Sequence, residues 1–375
     1  MIPFNKPSIK ELEKSYISQA LSNLKLCGDG KFTHGVYDQF KEKFGISHML
    51  LTTSCSHALD MTAILAGFKP GDEVIAPSYT FVSTINAFAL RGVKPVFCDV
   101  EKETMNIDAN KIEELITPAT KAIYPVHYAG VICDMDKINE IAKKHNLLVI
   151  EDAAQAVGSY YKKTMPAGTI GDMGCYSFHE TKNYAMGEGG AIIVKDDQLF
   201  KKAEIIREKG TDRSQFIRGE VDKYTWKDIG SSFLPSDILA AMLYGQMERF
   251  DEIMDARMGV WNKYYEDFED LEREGKVIRP HIPEYSNHNA HMFYLILPTK
   301  QIRDKMITDL RAKDIQSVFH YIPLHSSPMG EKFGYKAGDL PITEEYSGRL
   351  IRLPMYADLT DGEVEYVINS VKSCL

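Results

Sequence analysis

Short apolar runs alternate with amphipathic stretches through the first two thirds of the chain. The runs that predict strands span 49–52, 73–76, 95–99, 122–126, 147–150, 175–178 and 191–194. Helical patterns lie between them, such as 134–145, where Met135, Ile138 and Ile141 recur three positions apart. Uniformly apolar strand runs are typical of strands buried on both faces. The alternation therefore predicts an α/β fold with a mostly parallel sheet between two layers of helices.

The last third of the chain has a different pattern. The segment 210–228 is polar and rich in Arg and Lys, and it is longer than most connections, which predicts a functional loop or an arm that reaches another subunit. From Ser236 one long helical pattern runs to about Phe268 and leads to a strand candidate at 292–297. We therefore expect a large domain over 1–245, including the N-terminal segment, and a small domain over 246–375.

Composition and charge exclude several classes of function. The 375 residues carry a net charge of −9, which disfavours a nucleic-acid partner because phosphate binding needs clustered Lys and Arg. No apolar run approaches the roughly 18–20 residues of a membrane helix, and the first residues lack the apolar stretch of a signal peptide. The six cysteines are scattered, and neither they nor the histidines have metal-ligand spacing. These observations predict a cytoplasmic protein with no metal site.

Lys182 is the most informative single residue. It ends Ser-Phe-His-Glu-Thr-Lys at 177–182 and is followed by Gly-Glu-Gly-Gly at 187–190, between two strand candidates. An amine held in such a turn is buried, and burial without a partner costs several kcal/mol and favours the neutral form. A fixed neutral amine is what a Schiff base with an aldehyde cofactor requires.

Asp152 follows the apolar run 147–150 and so lies at the carboxyl end of a strand, where open α/β sheets bind ligands. A carboxylate there can keep a pyridine nitrogen protonated, which makes the ring an electron sink. The alternative is an N-cap for a helix that begins at Ala153, and taken alone this is the commoner role. Together with Lys182, the cofactor interpretation is favoured.

Three further segments carry candidate chemistry. Four hydroxyl residues within 52–56, before an apolar-periodic helix, predict a phosphate site at the helix N-terminus, with ordinary Ser/Thr capping as the alternative. Phe81, just past a strand end, is placed to stack on a flat ring, although core packing is the commoner fate of an aromatic residue. His320, Tyr321 and His325 put three polar aromatic side chains within six residues, which favours a site over isolated core histidines.

Several of these segments form a recognisable set. They are Pro-Ser-Tyr-Thr-Phe-Val at 77–82, Glu-Asp-Ala-Ala-Gln at 151–155, the two segments around Lys182, His-Tyr-Ile-Pro-Leu-His at 320–325 and Leu-Pro-Met-Tyr at 353–356. With them the chain resembles, almost end to end, the DegT/DnrJ/EryC1/StrS family of sugar aminotransferases dependent on pyridoxal phosphate (PLP). The resemblance implies fold type I, like aspartate aminotransferase: a large, mostly parallel mixed sheet with helices on both faces and a smaller α/β C-terminal domain. It also implies a homodimer with shared active sites.

The resemblance implies a role for each candidate residue. Lys182 would form the Schiff base with PLP and move the proton, and Asp152 would pair with the ring nitrogen. The other implied cofactor contacts are Phe81 on the ring, Gln155 at the ring hydroxyl, and Ser56, Ser177 and the backbone near His57 at the phosphate. His179, His320 and Tyr321 would line the sugar-nucleotide side. The cofactor would pass through its pyridoxamine phosphate form.

One segment departs from the family pattern. Many relatives have Gly-Tyr-Asn-Tyr-Arg where this chain has Gly-Ser-Ser-Phe-Leu at 230–234, and their asparagine reaches the cofactor phosphate of the other subunit. Ser232 would have to make that contact with a shorter reach or through a water. Arg213, Arg218 and Lys223 are candidates for a substrate diphosphate on charge alone, although a solvated loop explains them equally well.

Longer runs narrow the expected substrate. Lys-Leu-Cys-Gly-Asp-Gly at 25–30, Tyr-Thr-Trp-Lys-Asp-Ile-Gly-Ser-Ser at 224–232 and Asn-Ala-His-Met-Phe-Tyr at 289–294 are similar to family members of enterobacterial common antigen synthesis. Those members use L-glutamate to aminate C4 of dTDP-4-dehydro-6-deoxy-D-glucose, giving dTDP-4-amino-4,6-dideoxy-D-galactose. The gluco epimer and other keto-sugar nucleotides stay open.

Two rival functions use the same fold. Sugar dehydratases among the relatives carry histidine in place of the Schiff-base lysine, and Lys182 argues against that activity. A non-enzymatic regulatory protein would be expected to lose its catalytic residues, whereas Lys182, Asp152, Gln155 and Ser177 are all present.

Overall fold

The computed structural model describes residues 1–375 and contains twelve strands. In chain order these are β1 (Met49–Thr52), β2 (Glu73–Pro77), β3 (Lys94–Cys98), β4 (Thr120–Ile123), β5 (Leu148–Asp152), β6 (Tyr160–Tyr161), β7 (Met165–Pro166), β8 (Met173–Ser177), β9 (Gly190–Val194), β10 (Ser286–Asn287), β11 (Tyr294–Ile296) and β12 (Leu350–Arg352).

Seven of these strands form the main sheet, in the order β1-β9-β8-β5-β4-β2-β3. The neighbours from β3 to β8 run parallel, and β9 runs antiparallel to both β8 and β1. Each of the seven strands overlaps a predicted run, so the predicted α/β fold with a mostly parallel mixed sheet is confirmed. Two small sheets, β10-β6-β7 and β11-β12, lie outside it.

Fourteen α-helices surround the sheets. They are α1 (Glu11–Ser22), α2 (Lys31–Phe44), α3 (Cys55–Leu65), α4 (Val82–Ala89), α5 (Met135–His145), α6 (Asp197–Arg207), α7 (Arg213–Ile217), α8 (Asp237–Glu248), α9 (Phe250–Asp267), α10 (Glu269–Arg273), α11 (Lys300–Ala312), α12 (Pro328–Lys332), α13 (Pro341–Arg349) and α14 (Asp361–Cys374). None of them is long and apolar enough to cross a membrane.

The main sheet is buried on both faces because successive strand residues point to opposite sides. In β2, Ile75 packs into the core that includes α2, α5 and α8, whereas Val74 and Ala76 pack into the core of α3, α4 and α6. In β5, Val149 packs into the first of these cores and Ile150 into the second. Each such aliphatic side chain contributes about 1.5–3 kcal/mol by burial, which holds the carboxyl ends of the strands in fixed positions.

The helical pattern from Ser236 to Phe268 is helical over nearly its whole length, but it forms two helices, α8 and α9. The break is at Arg249, whose backbone leaves helical geometry between α8 and α9. Its guanidinium is buried against Glu13, at 2.7 Å, and also bonds Ser8. This tie to the N-terminal segment is a tertiary contact that the local apolar pattern does not contain.

The C-terminal part has its own core of 23 buried residues, built on α9, α11, α14 and the β11-β12 pair. Phe250 and Ile253, at the start of α9, belong instead to the core of the main sheet, and Val260 and Trp261 belong to the C-terminal core. Helix α9 therefore spans both parts. The domain boundary between 245 and 246 stays a prediction.

The polar segment 210–228 is closed by a bridge between Thr211 and Trp226 and contains the short helix α7. Several of its large apolar side chains face solvent in the single chain, and the indole of Trp226 is 81% exposed. The segment is therefore a folded projection and carries apolar surface as well as charge.

Candidate active site

A cavity of about 320 Å³ lies at the carboxyl ends of β5 and β8, between the main sheet and the C-terminal part. This is the edge at which open α/β sheets bind ligands. The predicted site residues that line it are Ser56, Phe81, Asp152, Gln155, Ser177, His179, Lys182, His320 and Tyr321. His57 and Ser232 do not line it.

Lys182 lies in the turn between β8 and β9. The backbone N–H of Lys182 donates to the carbonyl of His179 at 2.9 Å, and Glu180 donates to Gly187, whose φ of +87° suits glycine. The Nζ atom has neither a hydrogen bond nor an ion pair within the protein. Burial lowers the pKa of this amine, and the nearby Cys55 thiol and Asp152 carboxylate oppose that shift. The turn therefore presents an unpartnered amine to the cavity.

Asp152 is the last residue of β5, and its side chain is 5% exposed. The Thr84 hydroxyl donates to Oδ2 at 2.6 Å, and the Ala154 N–H donates to Oδ1 at 3.1 Å. No helix begins at Ala153, so the N-cap interpretation of Asp152 is wrong. No Lys, Arg or His side chain forms an ion pair with the carboxylate. A buried carboxylate without a cationic partner is costly and indicates a cationic ligand.

The hydroxyl segment before α3 forms the third wall of the cavity. Ser54 caps the helix, and its Oγ accepts the N–H of His57 at 3.1 Å. The N–H groups of Cys55 and Ser56 have no acceptor in the protein, and both residues line the cavity. The Ser56 hydroxyl lies 2.6 Å from that of Ser83. Free N–H groups at a helix N-terminus, with hydroxyls beside them, suit an anion.

The ring of His57 does not face the cavity. Its ring bonds the Thr53 hydroxyl and packs on Phe233, with 5.1 Å between the ring centroids. Because Ser54 takes the N–H of His57, that group is not free for a phosphate. The capping alternative therefore holds for one residue of the segment, while the two preceding N–H groups remain available.

The aromatic candidates lie along one side of the cavity. Phe81 is 58% exposed, and its ring centroid lies 6.3 Å from that of Tyr321. Gln155 donates from Nε2 to the Tyr321 hydroxyl at 3.2 Å. His320 bonds the Tyr128 hydroxyl through Nδ1 at 3.1 Å, and burial holds the pKa of its ring well below the ordinary value. His320 is therefore neutral and serves as a hydrogen-bonding group, whereas His325 points away and bonds Ser78.

The remaining candidates lie away from the cavity. Ser232 is exposed, and its backbone forms a bridge with Glu208. Arg213 pairs with Glu208 at 2.6 Å, and Arg218 pairs with Glu204 at 2.6 Å. These two guanidinium groups are already neutralised by carboxylates of their own subunit.

Sequence reasoning missed Phe4, His291 and Arg352, which line the cavity, and Thr84, whose hydroxyl donates to Asp152. His291 bonds the Asn183 side chain through Nδ1 at 2.9 Å, and burial and nearby cations hold the pKa of its ring well below the ordinary value. Arg352 had a usable signal, because a lone arginine interrupts the apolar run Leu350, Ile351 and Leu353.

The family comparison agrees with this geometry. Residues 7–372 match the model of the DegT/DnrJ/EryC1/StrS aminotransferase family. The chain belongs to this family. It is 36% identical over 375 residues to GDP-perosamine synthase of Caulobacter vibrioides, covering 98% of this chain and 97% of that protein. It is 34% identical to the spore coat polysaccharide biosynthesis protein SpsC of Bacillus subtilis, covering 99% and 96%.

Solved structures of similar proteins confirm fold type I. The aminotransferase TlmJ of Streptoalloteichus hindustanus superposes with a TM-score of 0.91 at 28% identity, covering all of this chain and 98% of that one. The sugar aminotransferase Spr1654 of Streptococcus pneumoniae, in its pyridoxamine phosphate form, gives a TM-score of 0.92 at 25% identity, covering 100% and 99%. The protein is therefore a PLP-dependent sugar aminotransferase.

The donor groups of the cavity fit PLP. The unpaired Asp152 carboxylate suits a pyridinium nitrogen, the free Nζ of Lys182 suits the aldehyde, and the free N–H groups of Cys55 and Ser56 suit the phosphate. These groups converge on one cavity from three separate turns. Asp152 would keep the ring cationic, and the hydroxyls of Ser56 and Ser177 would add to the phosphate contacts.

Proposed function

We propose that the protein transfers the amino group of L-glutamate to the C4 ketone of dTDP-4-dehydro-6-deoxy-D-glucose. The products are dTDP-4-amino-4,6-dideoxy-D-galactose and 2-oxoglutarate. The observation that carries transamination is the unpartnered Lys182 amine in the same cavity as the unpaired Asp152 carboxylate. The choice of sugar rests on the long sequence runs, and the name of the GDP-perosamine synthase relative supports a nucleotide-linked sugar in general.

The residues of this chain serve two roles in the reaction, proton transfer and charge stabilisation. When bound, PLP supplies an aldehyde that exchanges with amines and a ring that withdraws electrons from the reacting carbon. Nζ of Lys182 takes the proton from the α-carbon of glutamate and, in the second half of the cycle, takes part in proton transfer at C4 of the sugar. The lowered pKa of the buried amine favours the basic form that this step needs.

The experiment that tests the proposal is incubation of the PLP-loaded enzyme with dTDP-4-dehydro-6-deoxy-D-glucose and L-glutamate. We expect 2-oxoglutarate and an amino sugar in equal amounts. Proton couplings around C4 then give the configuration, with small H3–H4 coupling for an axial amine and large coupling for an equatorial one. An equatorial amine would replace the galacto product by the gluco epimer, and no amino sugar would overturn the substrate.

We further propose a homodimer with shared sites, in which the partner contributes Ser232 and the 210–228 segment. Its support is that Ser232 is exposed and does not line the cavity of its own chain, and that the segment presents apolar side chains such as Trp226 to solvent. Exposed apolar clusters of this kind are typical of interfaces.

Subunit mixing tests the shared site. A Lys182→Ala subunit lacks the amine, and a Trp226→Ala, Ser232→Ala subunit lacks the contributed surface. Refolded together, they should recover up to about a quarter of wild-type activity, because a mixed dimer contains one intact site. The matched control mixes Lys182→Ala with Lys182→Arg, which should give no recovery. Equal activity in both mixtures would indicate self-contained subunits.

A further inference from the structure

Arg352 is a cation without an anion. It ends β12 and lines the same cavity as Lys182, yet its guanidinium forms no ion pair and no hydrogen bond, and its buried Nε has no partner. The acidic groups around it are the phenols of Tyr79, Tyr128 and Tyr321, and burial raises the pKa of all three, so they are uncharged at neutral pH. The basic groups near it are Lys182, His291 and His320, and none of them can neutralise its charge. Leaving a buried charge unpaired is costly, which indicates that an anionic ligand completes this position.

The N-terminal segment fixes the orientation of this guanidinium. Phe4 covers one face of it, with Cζ of Arg352 at 4.4 Å from the ring centroid. The backbone of Phe4 is held on both sides, since its N–H donates to Gln316 at 3.1 Å and its carbonyl accepts from Met355 at 3.2 Å. Next in the chain, Asn5 donates to the carbonyl of Glu180, at 3.2 Å, in the turn that carries Lys182. The segment therefore links Arg352 to the turn that carries Lys182.

The chemistry of an amino donor decides which anion fits. In an α-amino acid the nitrogen and the carboxylate carbon are attached to the same carbon and lie about 2.5 Å apart. A donor whose amine reacts at the position of Lys182 must therefore bring its carboxylate into the same cavity. Arg352 is the arginine that lines it, and burial holds the pKa values of His291 and His320 well below the ordinary value. A planar guanidinium with free N–H groups binds a carboxylate through two parallel hydrogen bonds.

We propose that Arg352, oriented by the ring of Phe4, binds the α-carboxylate of the amino donor. This assignment rests on the proposed transamination and adds the residue that selects the donor. The diphosphate of a sugar nucleotide fits the position less well. It is attached to the sugar ring at a carbon away from the reacting ketone, and it carries more charge than one guanidinium with a covered face can neutralise.

The test compares two donors in two proteins. L-Glutamate carries the α-carboxylate, and L-isoglutamine has an amide in its place. The donor half-reaction is followed without any sugar, from the release of the keto product by the PLP-loaded enzyme. Without an acceptor each enzyme molecule reacts once, so the single-turnover rate constants at low donor concentration are compared. We expect wild type to prefer glutamate by about 100-fold, and Arg352→Gln to lose most of this preference through weaker binding of glutamate. Because no sugar is present, an incorrect sugar substrate would not affect the result.

Binding without turnover provides a second readout. α-Methylglutamate has no α-hydrogen and is not transaminated, so calorimetric titration of the loaded enzyme reports donor binding, including amine exchange at the aldehyde, without proton transfer. Its affinity should fall about 30- to 300-fold in Arg352→Gln. The smaller change Phe4→Leu leaves the charge but removes the aromatic face, and should weaken binding about 3- to 10-fold.

Controls keep the result interpretable if the glutamine variant folds poorly. Arg352→Lys retains the charge but cannot form two parallel hydrogen bonds with a carboxylate, so it should lose part of the preference for glutamate. Arg349→Gln removes a guanidinium three residues away that bonds Leu297 outside the cavity, and should leave donor preference unchanged. Unchanged donor preference in both Arg352 variants would overturn the proposal. A raised KM for the keto-sugar nucleotide with a normal KM for glutamate would assign Arg352 to the diphosphate.

Discussion

Replacing Lys182 by alanine is expected to reduce transamination by at least about 10⁴-fold, because the variant loses both the amine that holds the aldehyde and the base that moves the proton. The loaded wild-type protein should absorb visible light. Borohydride should remove this absorbance by reducing the imine, which leaves the cofactor covalently attached at residue 182, and the variant should not be labelled there. Turnover of a keto-sugar nucleotide with glutamate by Lys182→Ala would contradict the assigned mechanism.

The loss in Lys182→Ala should be chemical and not structural. Nζ makes no bond within the protein, so its removal leaves no orphaned partner. The thermal midpoint of the cofactor-free variant should therefore equal or slightly exceed that of wild type. Lys182→Arg keeps a cation but supplies no nucleophilic amine, and should be as inactive as the alanine variant. Lys143→Ala, on the exposed side of α5, is the matched control and should retain full activity.

Replacing Asp152 by asparagine is expected to lower kcat by about 10³-fold. The amide preserves the size of the side chain and can still accept a hydrogen bond from Thr84, but it has no charge to keep the ring nitrogen protonated. The ring then withdraws electrons less strongly when negative charge develops on the reacting carbon. Measurement of both half-reactions should show the loss in each, since the same ring serves both.

Thr84→Val provides the control for this loss. It removes the hydroxyl that positions Oδ2 of Asp152 but keeps the carboxylate, and its effect on kcat should be only about 10-fold. Asp152→Glu keeps the charge on a longer side chain and should lie between the two. If Asp152→Asn matched Thr84→Val, the carboxylate would act by position alone, and the charge assignment would be wrong.

The main sheet was predictable because its strands are apolar throughout and separated by amphipathic helices. Because a strand buried on both faces is apolar at nearly every position, a run of four or five residues is enough to identify it. Tertiary contacts were therefore not needed to recognise β2, β5 or β8. The break at Arg249 was not predictable, since the apolar periodicity continues across it and its cause is a buried contact with Glu13 far away in sequence.

The site was predictable where a reactive residue type lies next to a predicted strand. Asp152 lies at the end of β5 and Lys182 lies in the turn between β8 and β9, in segments whose residue types have few structural roles. His57 shows the limit of that reasoning, because a run of hydroxyls does not reveal which N–H group the cap will occupy. Phe4 was missed because its importance arises from a contact with Arg352, far away in sequence, whereas Arg352 had a local signal in the apolar run that it interrupts.

That contact has a consequence for the order in which the protein becomes functional during synthesis. Lys182 leaves the ribosome well before residue 352, and at typical elongation rates of about 5–20 residues per second the interval is several seconds or more. A nascent chain can complete the main sheet while β12 is still absent, since β12 pairs only with β11 outside that sheet. The nascent chain would thus be able to react with amines before it could distinguish one amine from another. The C-terminal part, which emerges later, would confer selectivity for the donor.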